Sequence, residues 1–157
     1  MNKRTIDSVP ATAISPHHKW LSVESLADVE ITSEDPSHPI ESALLASRGS
    51  GWRAAGPGRQ TIRIIFTHPQ PLRQIWLNFH ESEVERTQEY ILRWSPDHGQ
   101  SFQEIARQQW NFSPHGSTSE TENHRVDLPT VTLLELSIFP DISRGHAFAS
   151  LAQLRLA

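Results

Sequence analysis

The sequence predicts an all-β protein, an antiparallel β-sandwich with one short helix. Three observations carry this reading. Apolar and polar residues alternate with period two in several short segments, as half-buried strands require. Gly, Pro, Asn, Asp and Ser cluster between those segments, where turns need preset or positive φ angles. Only one stretch, IESALLAS after Pro39, has a helical start signal, and it has room for about two turns before Gly49.

The stretch that organises the chain is RTQEYILRWSPDHGQSFQEIARQQW, Arg86 to Trp110. Tyr90, Leu92 and Trp94 alternate with Glu89, Ile91 and Arg93, which gives a strand two unlike faces. Ser95-Pro96-Asp97-His98-Gly99 supplies a fixed φ, a side chain able to cap its own backbone, and a φ > 0 residue. The pattern is a hairpin. It follows that the chain entering Arg86 and the chain leaving Trp110 lie at the same end of the molecule.

In chain order, Met1 to about His17 holds Pro10 and Pro16 with little periodicity and is expected to be a tail or edge segment, with a single domain over residues 18–157. Val29 and Ile31 fall on one face of a first strand, and the segment from Ser33 to Pro39 is a loop. GWRAAGPGRQ is expected to be a Gly/Pro-rich loop carrying Trp52. TIRIIF points Ile62, Ile64 and Phe66 one way, and RQIWLNFH points Ile75, Leu77 and Phe79 inward with Trp76, Asn78 and His80 opposite. After the hairpin, Asn111 to Asn123 is a long polar loop, followed by separate strands HRVDLP and VTLLELSIF. PDISRGHAFAS is a further loop, and LAQLRLA closes the chain. This gives about seven or eight short strands, the pattern of a sandwich.

Bulk properties exclude several classes. At 157 residues the chain suits one domain able to bury a sizeable core. It has no cysteine, so disulfides, thiolate metal sites and Cys nucleophiles are absent. The net charge of −4 offers no basic stripe for nucleic acid. No apolar run is long enough to span a membrane. The start, MNKRTIDSVPATAIS, lacks the apolar core of a signal peptide, so a cytoplasmic location is expected.

One order of features is familiar. A short helix is followed by a Gly-rich loop with Trp52, a strand ending in Phe66 and the strand IWLNF; then come a polar strand entered by Arg86, the Trp-Ser-Pro-Asp-His-Gly turn and Phe102. Over roughly Leu26 to Leu156 this resembles the galactose-binding-like, or discoidin (F5/8 type C), family of jelly-roll domains. The resemblance implies a jelly-roll sandwich that binds sugars, phospholipid head groups or proteins through loops at one end. Two departures stand out. Many members carry Asp-Gly after the short helix near a structural calcium, whereas this chain has Ala46-Ser47-Arg48-Gly49, with a cation in the carboxylate's place. The disulfide that ties the termini of extracellular members is also missing. No cofactor or metal is expected.

Candidate functional residues follow from the shared end. The loop His80–Glu85 enters the hairpin where the loop after Trp110 leaves it, which gathers His80, Arg86, Trp110, Asn111, Phe112 and His115 on one rim, joined by Trp52 and Arg53 if the jelly-roll order holds. Sugar recognition needs an aromatic plate for the apolar ring face and planar donors and acceptors for the hydroxyls, and this set supplies both. Against it, Trp110 and Phe112 can equally plug the barrel end while Arg86 pairs with Glu89 or Glu85. Trp20, Trp76 and Trp94 are assigned to packing. The acidic run Glu81, Glu83 and Glu85 reads as a solvated loop before it reads as a calcium or acid/base site. The nine histidines are scattered, with no His-x-x-x-His pair on a helix. The expected function is a non-catalytic module that binds carbohydrate at this rim. The alternative is an intracellular adaptor binding a protein partner through the rim or through the sheet face bearing Thr87, Glu89, Ile91, Arg93, Arg107 and Gln109.

Overall fold

The computed structural model describes residues 20–45 and 49–157. The expected tail over residues 1–17, the histidines His17 and His18, and the Ala46-Ser47-Arg48 stretch lie outside the described residues.

Eight strands and two single helical turns make an antiparallel β-sandwich: α1 (Val23–Leu26), β1 (Ala27–Ile31), α2 (Glu41–Leu44), β2 (Trp52–Pro57), β3 (Gln60–His80), β4 (Arg86–Ser95), β5 (Gln103–Phe112), β6 (Ser119–Phe139), β7 (Phe148–Leu151) and β8 (Gln153–Leu156). The first sheet runs β1-β3-β6-β4-β5, and β8 pairs with β3 beyond that path. The central pair is bent. The first half of β3 pairs with β1 and with the second half of β6, at Ile62↔Leu136 and Ile64↔Leu134. Its second half pairs with the start of β6 and with β8, at Leu77↔Glu122 and Leu77↔Leu154. Between the halves the ladder is irregular from Ile65 to Gln74. Pro69, Pro71 and Pro129 sit there, and a proline gives no N–H to a ladder. What the sequence divides into two pairs of strands is therefore one ribbon turning a corner.

The inward triplets read from the sequence all face the core. Ile62, Ile64, Ile75, Leu77, Phe79, Tyr90, Leu92, Leu134, Leu136, Ile138 and Leu156 are buried in one cluster. Phe79 stacks on Tyr90 across the two layers, with ring centroids 5.4 Å apart. Trp94 joins the core, Trp20 is partly buried, and Trp76 is buried on the opposite face of β3 from Ile75 and Leu77.

Four expectations need correcting. GWRAAGPGRQ is not a loop: Trp52–Pro57 is β2, paired with β7 at Trp52↔Leu151. Its period-two signal is carried only by Trp52 and Ala54, and small residues hide it. Gly51 at its start has φ +77, and a Cβ there would lie 2.9 Å from the Leu151 carbonyl oxygen, so no side chain fits. The polar loop after Trp110 shrinks to residues 113–118, because Asn111 and Phe112 belong to β5 and Ser119 opens β6. The helix before Gly49 makes one turn, since Leu45 is already extended. A second turn, Val23–Leu26, precedes β1.

The hairpin turn forms as its residues dictate. His98 and Gly99 both have positive φ, 58 and 91. The Asp97 carboxylate accepts from Ser95 Oγ at 2.7 Å and, through its two oxygens, from Ser101 N at 2.8 Å and Ser101 Oγ at 2.6 Å. The Ser101 and Ser95 hydrogen bonds hold this carboxyl down to about 2. Because the folded value lies below the unfolded one, the turn contributes stability above about pH 4 and loses it as pH falls toward 2. Asp97→Ala is expected to lower the urea midpoint at pH 6, with the difference from wild type vanishing near pH 2. An equal difference at both pH values would contradict this account of the turn.

Candidate functional site

Strand direction places three connections at one end of the sandwich. Residues 81–85 lead into β4, residues 113–118 leave β5, and residues 140–147 leave β6. The first two touch directly: the Glu81 N–H donates to the Thr118 carbonyl at 2.8 Å. The third is held by Ile142 N–H donating to Thr87 O at 2.9 Å. The sequence reading did not include this third connection. In the structure β6 runs antiparallel to β4 and so emerges beside Arg86, a pairing that the sequence alone does not show.

Arg86 is the pin of this end. Its side chain has 0% exposure, and its Nε donates to Glu81 Oε1 at 2.8 Å. Its Nη1 donates to Gln88 Oε1 at 3.1 Å and to the Pro140 carbonyl at 2.8 Å. The guanidinium lies 4.8 Å from the centroid of the Phe112 ring, its register partner on β5. One cation thus fastens the 81–85 and 140–147 connections and packs on the end of the strand that leads into the third. Burial pushes the Glu81 carboxyl up, but Arg86 and the backbone N–H groups of Glu83 and Val84 outweigh it and the net displacement is downward.

Beneath Arg86 a polar chain runs inward between the sheets. The Gln88 side-chain amide donates to Glu120 Oε1 at 3.2 Å. Glu120 has 0% exposure, and its carboxyl is pushed up to about 8 by burial first and by the charge of Glu122 second. Arg86 Nη2 and Glu120 Oε2 have no hydrogen-bond partner among the described residues. Farther along, the Tyr90 hydroxyl and His124 Nε2 are 2.7 Å apart. Burial raises the tyrosine's pKa and lowers the histidine's.

Two adjoining hollows open at this end. One, of about 410 Å³, is lined by Thr87, Asn111, Phe112, Asp141, Ser143 and Arg144 among others. The second, about 300 Å³, shares Glu85, Asp141 and Arg144 with it and adds Arg53, Val84, His146 and Phe148. Thr87 Oγ1 donates to Asn111 Oδ1 at 2.7 Å, leaving the Asn111 amide N–H groups turned to solvent as donors. Arg53 stacks over the Phe148 ring at 5.5 Å. The large hydrophobic side chains left exposed among the described residues are Val84 and Ile142, at 48% each, and both stand on these rim loops.

The sequence-derived candidates therefore separate. Arg86, Asn111 and Phe112 line the first hollow and Arg53 the second. Phe112 is fully buried beneath Arg86 and serves as packing, so it offers no plate to a ligand. Arg86 is likewise structural, and its partner is Glu81 rather than Glu85 or Glu89. Trp52 does not join the rim; it is 1% exposed, and its indole N–H donates to Ser33 O at 3.0 Å inside the core. Trp110 is partly buried, with its N–H donating to Ser117 Oγ at 3.1 Å. His115 is exposed on the 113–118 turn. His80 lines a separate hollow on the outer face of β3. No group of His, Asp and Glu among the described residues is arranged to hold a metal ion. No helix among them is long and apolar enough to cross a membrane.

No protein-family model and no curated protein sequence matches the chain. Solved structures do. A carbohydrate-binding module from a family 31 glycoside hydrolase of Clostridium perfringens superposes with TM-score 0.64 at 19% identity, over 87% of this chain and 93% of that one. The family 32 carbohydrate-binding module of C. perfringens NanJ, solved in complex with galactose, gives 0.63 at 14% identity, over 85% and 94%. The family 32 module of AlyQ, in complex with 4,5-unsaturated mannuronic acid, gives 0.62 at 16%, over 89% and 98%. This chain has the fold of those modules. The jelly-roll sandwich expected from the galactose-binding-like resemblance is thereby established. At these identities the likeness speaks for the fold, and residue roles rest on the geometry above.

Proposed function

We propose that the chain is a non-catalytic carbohydrate-binding module that holds its ligand on the rim of residues 81–87, 111–113 and 141–147. The observation that carries this reading is the pairing of exposed Val84 and Ile142 with a hollow lined by Thr87, Asn111, Asp141, Ser143 and Arg144. A pyranose presents C–H groups on one face and hydroxyls around its edge. The aliphatic side chains cover the first; the amide, hydroxyl, carboxylate and guanidinium groups answer the second. Arg86, Glu81 and Phe112 hold these groups from below, the rigid support that precise hydrogen bonding requires. The fold agrees, since its structural neighbours include modules solved with galactose and with an uronic acid derivative.

The adaptor alternative draws less support. Charges on the outer sheet face are paired with each other: Glu135, 2% exposed, is clasped by Arg63 at 2.9 Å and Arg93 at 2.6 Å. Glu89 accepts from Arg107 and Gln109, each at 2.8 Å. Such a face has few groups free for a partner.

Glycan-array screening followed by calorimetric titration with galactose tests the proposal. The double substitution Val84→Ser/Ile142→Ser is expected to weaken binding about tenfold, since two exposed apolar contacts of somewhat under 1 kcal/mol each are removed. Its thermal stability should be unchanged, as both side chains are half exposed. Failure of the intact chain to bind any glycan overturns the proposal.

A further inference from the structure

A larger hollow, about 670 Å³, lies on the Trp76 face of the first sheet, where the second half of β3, the start of β6 and β8 run side by side. Its floor follows strand periodicity. Trp76, Asn78 and His80 alternate on β3, Ser119 and Thr121 alternate on β6, and Gln153 opens β8. None of the described residues lining it is a carboxylate, a lysine or an arginine. That sets it apart from the rim, whose hollows carry Glu85, Asp141 and Arg144.

The polar groups are fixed in advance. The Asn78 side-chain amide donates to Ser119 Oγ at 3.2 Å, to the Glu120 carbonyl at 3.3 Å and to Thr121 Oγ1 at 2.9 Å. Both hydroxyl oxygens accept from the Asn78 amide, so their own hydrogens point away from it, and neither has an acceptor among the described residues. Asn78 Oδ1 is similarly left as an acceptor, and the side chains of Gln153 and His80 form no hydrogen bond among the described residues. The result, among the described residues, is a row of donors and acceptors without fixed charge. Trp76, 4% exposed, is floor and not a stacking plate.

We propose that this groove is a second subsite, for an uncharged, hydroxyl-rich sugar residue of a glycan whose other end sits on the rim. It rests on the carbohydrate reading of the rim and extends it. A sugar hydroxyl donates and accepts at once, which matches the alternation of free hydroxyl hydrogens with the Asn78 and Gln153 carbonyls. Among the described residues a charged ligand would find no counter-charge here. The two sites are adjacent: His80 and Ser119, which line the groove, flank the Glu81–Thr118 hydrogen bond whose far side carries Glu85 and Ser113 of the rim. Occupying both with one chain converts the second contact into an intramolecular one.

The test is amide chemical-shift mapping of the whole ¹⁵N-labelled chain with galactose and with β-1,4-galactotetraose, paired with calorimetry. Galactose is expected to shift rim amides; the tetrasaccharide is expected to shift those of Asn78, His80, Ser119, Thr121 and Gln153 as well. It should bind about tenfold more tightly, two hydrogen bonds of somewhat under 1 kcal/mol each. The pair Ser119→Ala/Thr121→Val, which preserves volume at exposed or half-exposed positions, should remove that gain and leave galactose affinity unchanged. Rim shifts from both sugars with no groove shift and no tighter binding overturn the second subsite and leave the rim reading intact. Groove shifts from the tetrasaccharide without rim shifts overturn the rim-anchored form of the inference and the rim reading together. No shift from either sugar overturns both.

Discussion

Arg86→Ala is expected to cost the fold about 3 kcal/mol and to abolish rim binding, read as a fall in the urea midpoint and a flat calorimetric trace. The reasoning is asymmetric. A buried ion pair adds little over a well-packed apolar replacement, but removing one partner strands the groups that faced it, at about 3–5 kcal/mol. Here the guanidinium is wholly covered, while the Glu81 side chain keeps 15% of its exposure and can partly recover water, so the lower figure applies. The Pro140 carbonyl and Gln88 would lose their donor, and Phe112 would face a cavity. Arg86→Lys keeps the charge but not the fork that reaches Glu81, Gln88 and Pro140 together, so it should restore only part of the loss. A stability change below about 1 kcal/mol for the alanine variant would show that this end of the fold does not depend on this residue.

Glu120→Gln is expected to stabilise the protein, increasingly so as pH rises. Burial, and then the neighbouring Glu122, raise the Glu120 carboxyl from an ordinary value of 4.5 to about 8 in the folded chain. A carboxyl that binds its proton more tightly when folded carries no penalty below about pH 4.5. Between 4.5 and 8 the unfolded state is ionised while the folded state holds the proton, so stability declines; above about 8 the loss is constant. The amide does not titrate and can still accept from Gln88. The variant should match wild type near pH 4 and exceed it by on the order of 5 kcal/mol at pH 9, at about 1.4 kcal/mol for each pH unit between the folded and unfolded values. Chemical denaturation across that range reads the difference directly. Parallel pH profiles for the two proteins would show that Glu120 is ionised in the folded state at neutral pH.

The hairpin was legible because both of its determinants are local: alternation through Tyr90, Leu92 and Trp94, and a turn whose Asp97 and Gly99 leave little choice of backbone. That one inference also carried the meeting of residues 81–85 with 113–118. β2 was illegible because Gly and Pro, which usually interrupt strands, sit within a pair that β7 completes from nearly a hundred residues away. The opening of β6, residues 119–123, was hidden for another reason. Its inward side carries Glu120 and Glu122 in place of aliphatic residues, so alternation of hydrophobicity had nothing to register. Depth was the harder quantity. Periodicity places Arg86 and Phe112 on the inward side of their strands, yet it does not say that the cation lies under the surface with the ring against it. The Asp141–His146 segment was passed over because its chemistry is ordinary until strand direction brings it beside Thr87.

The bent ribbon of β3 and β6 has a consequence for how the molecule comes apart. Each of the two strands is uninterrupted over 21 residues and belongs to both layers. Peeling one layer from the other would pull on two strands that run continuously through both, so the layers cannot act as separate cooperative units. Most partners are also distant in sequence, Gln60 meeting Ile138 and Leu77 meeting Leu154, which demands long loop closures before any reward and points to slow, all-or-none folding. The proposed binding rim, built on such a frame, inherits its stiffness: local opening at the loops does not propagate into the sheets that carry them.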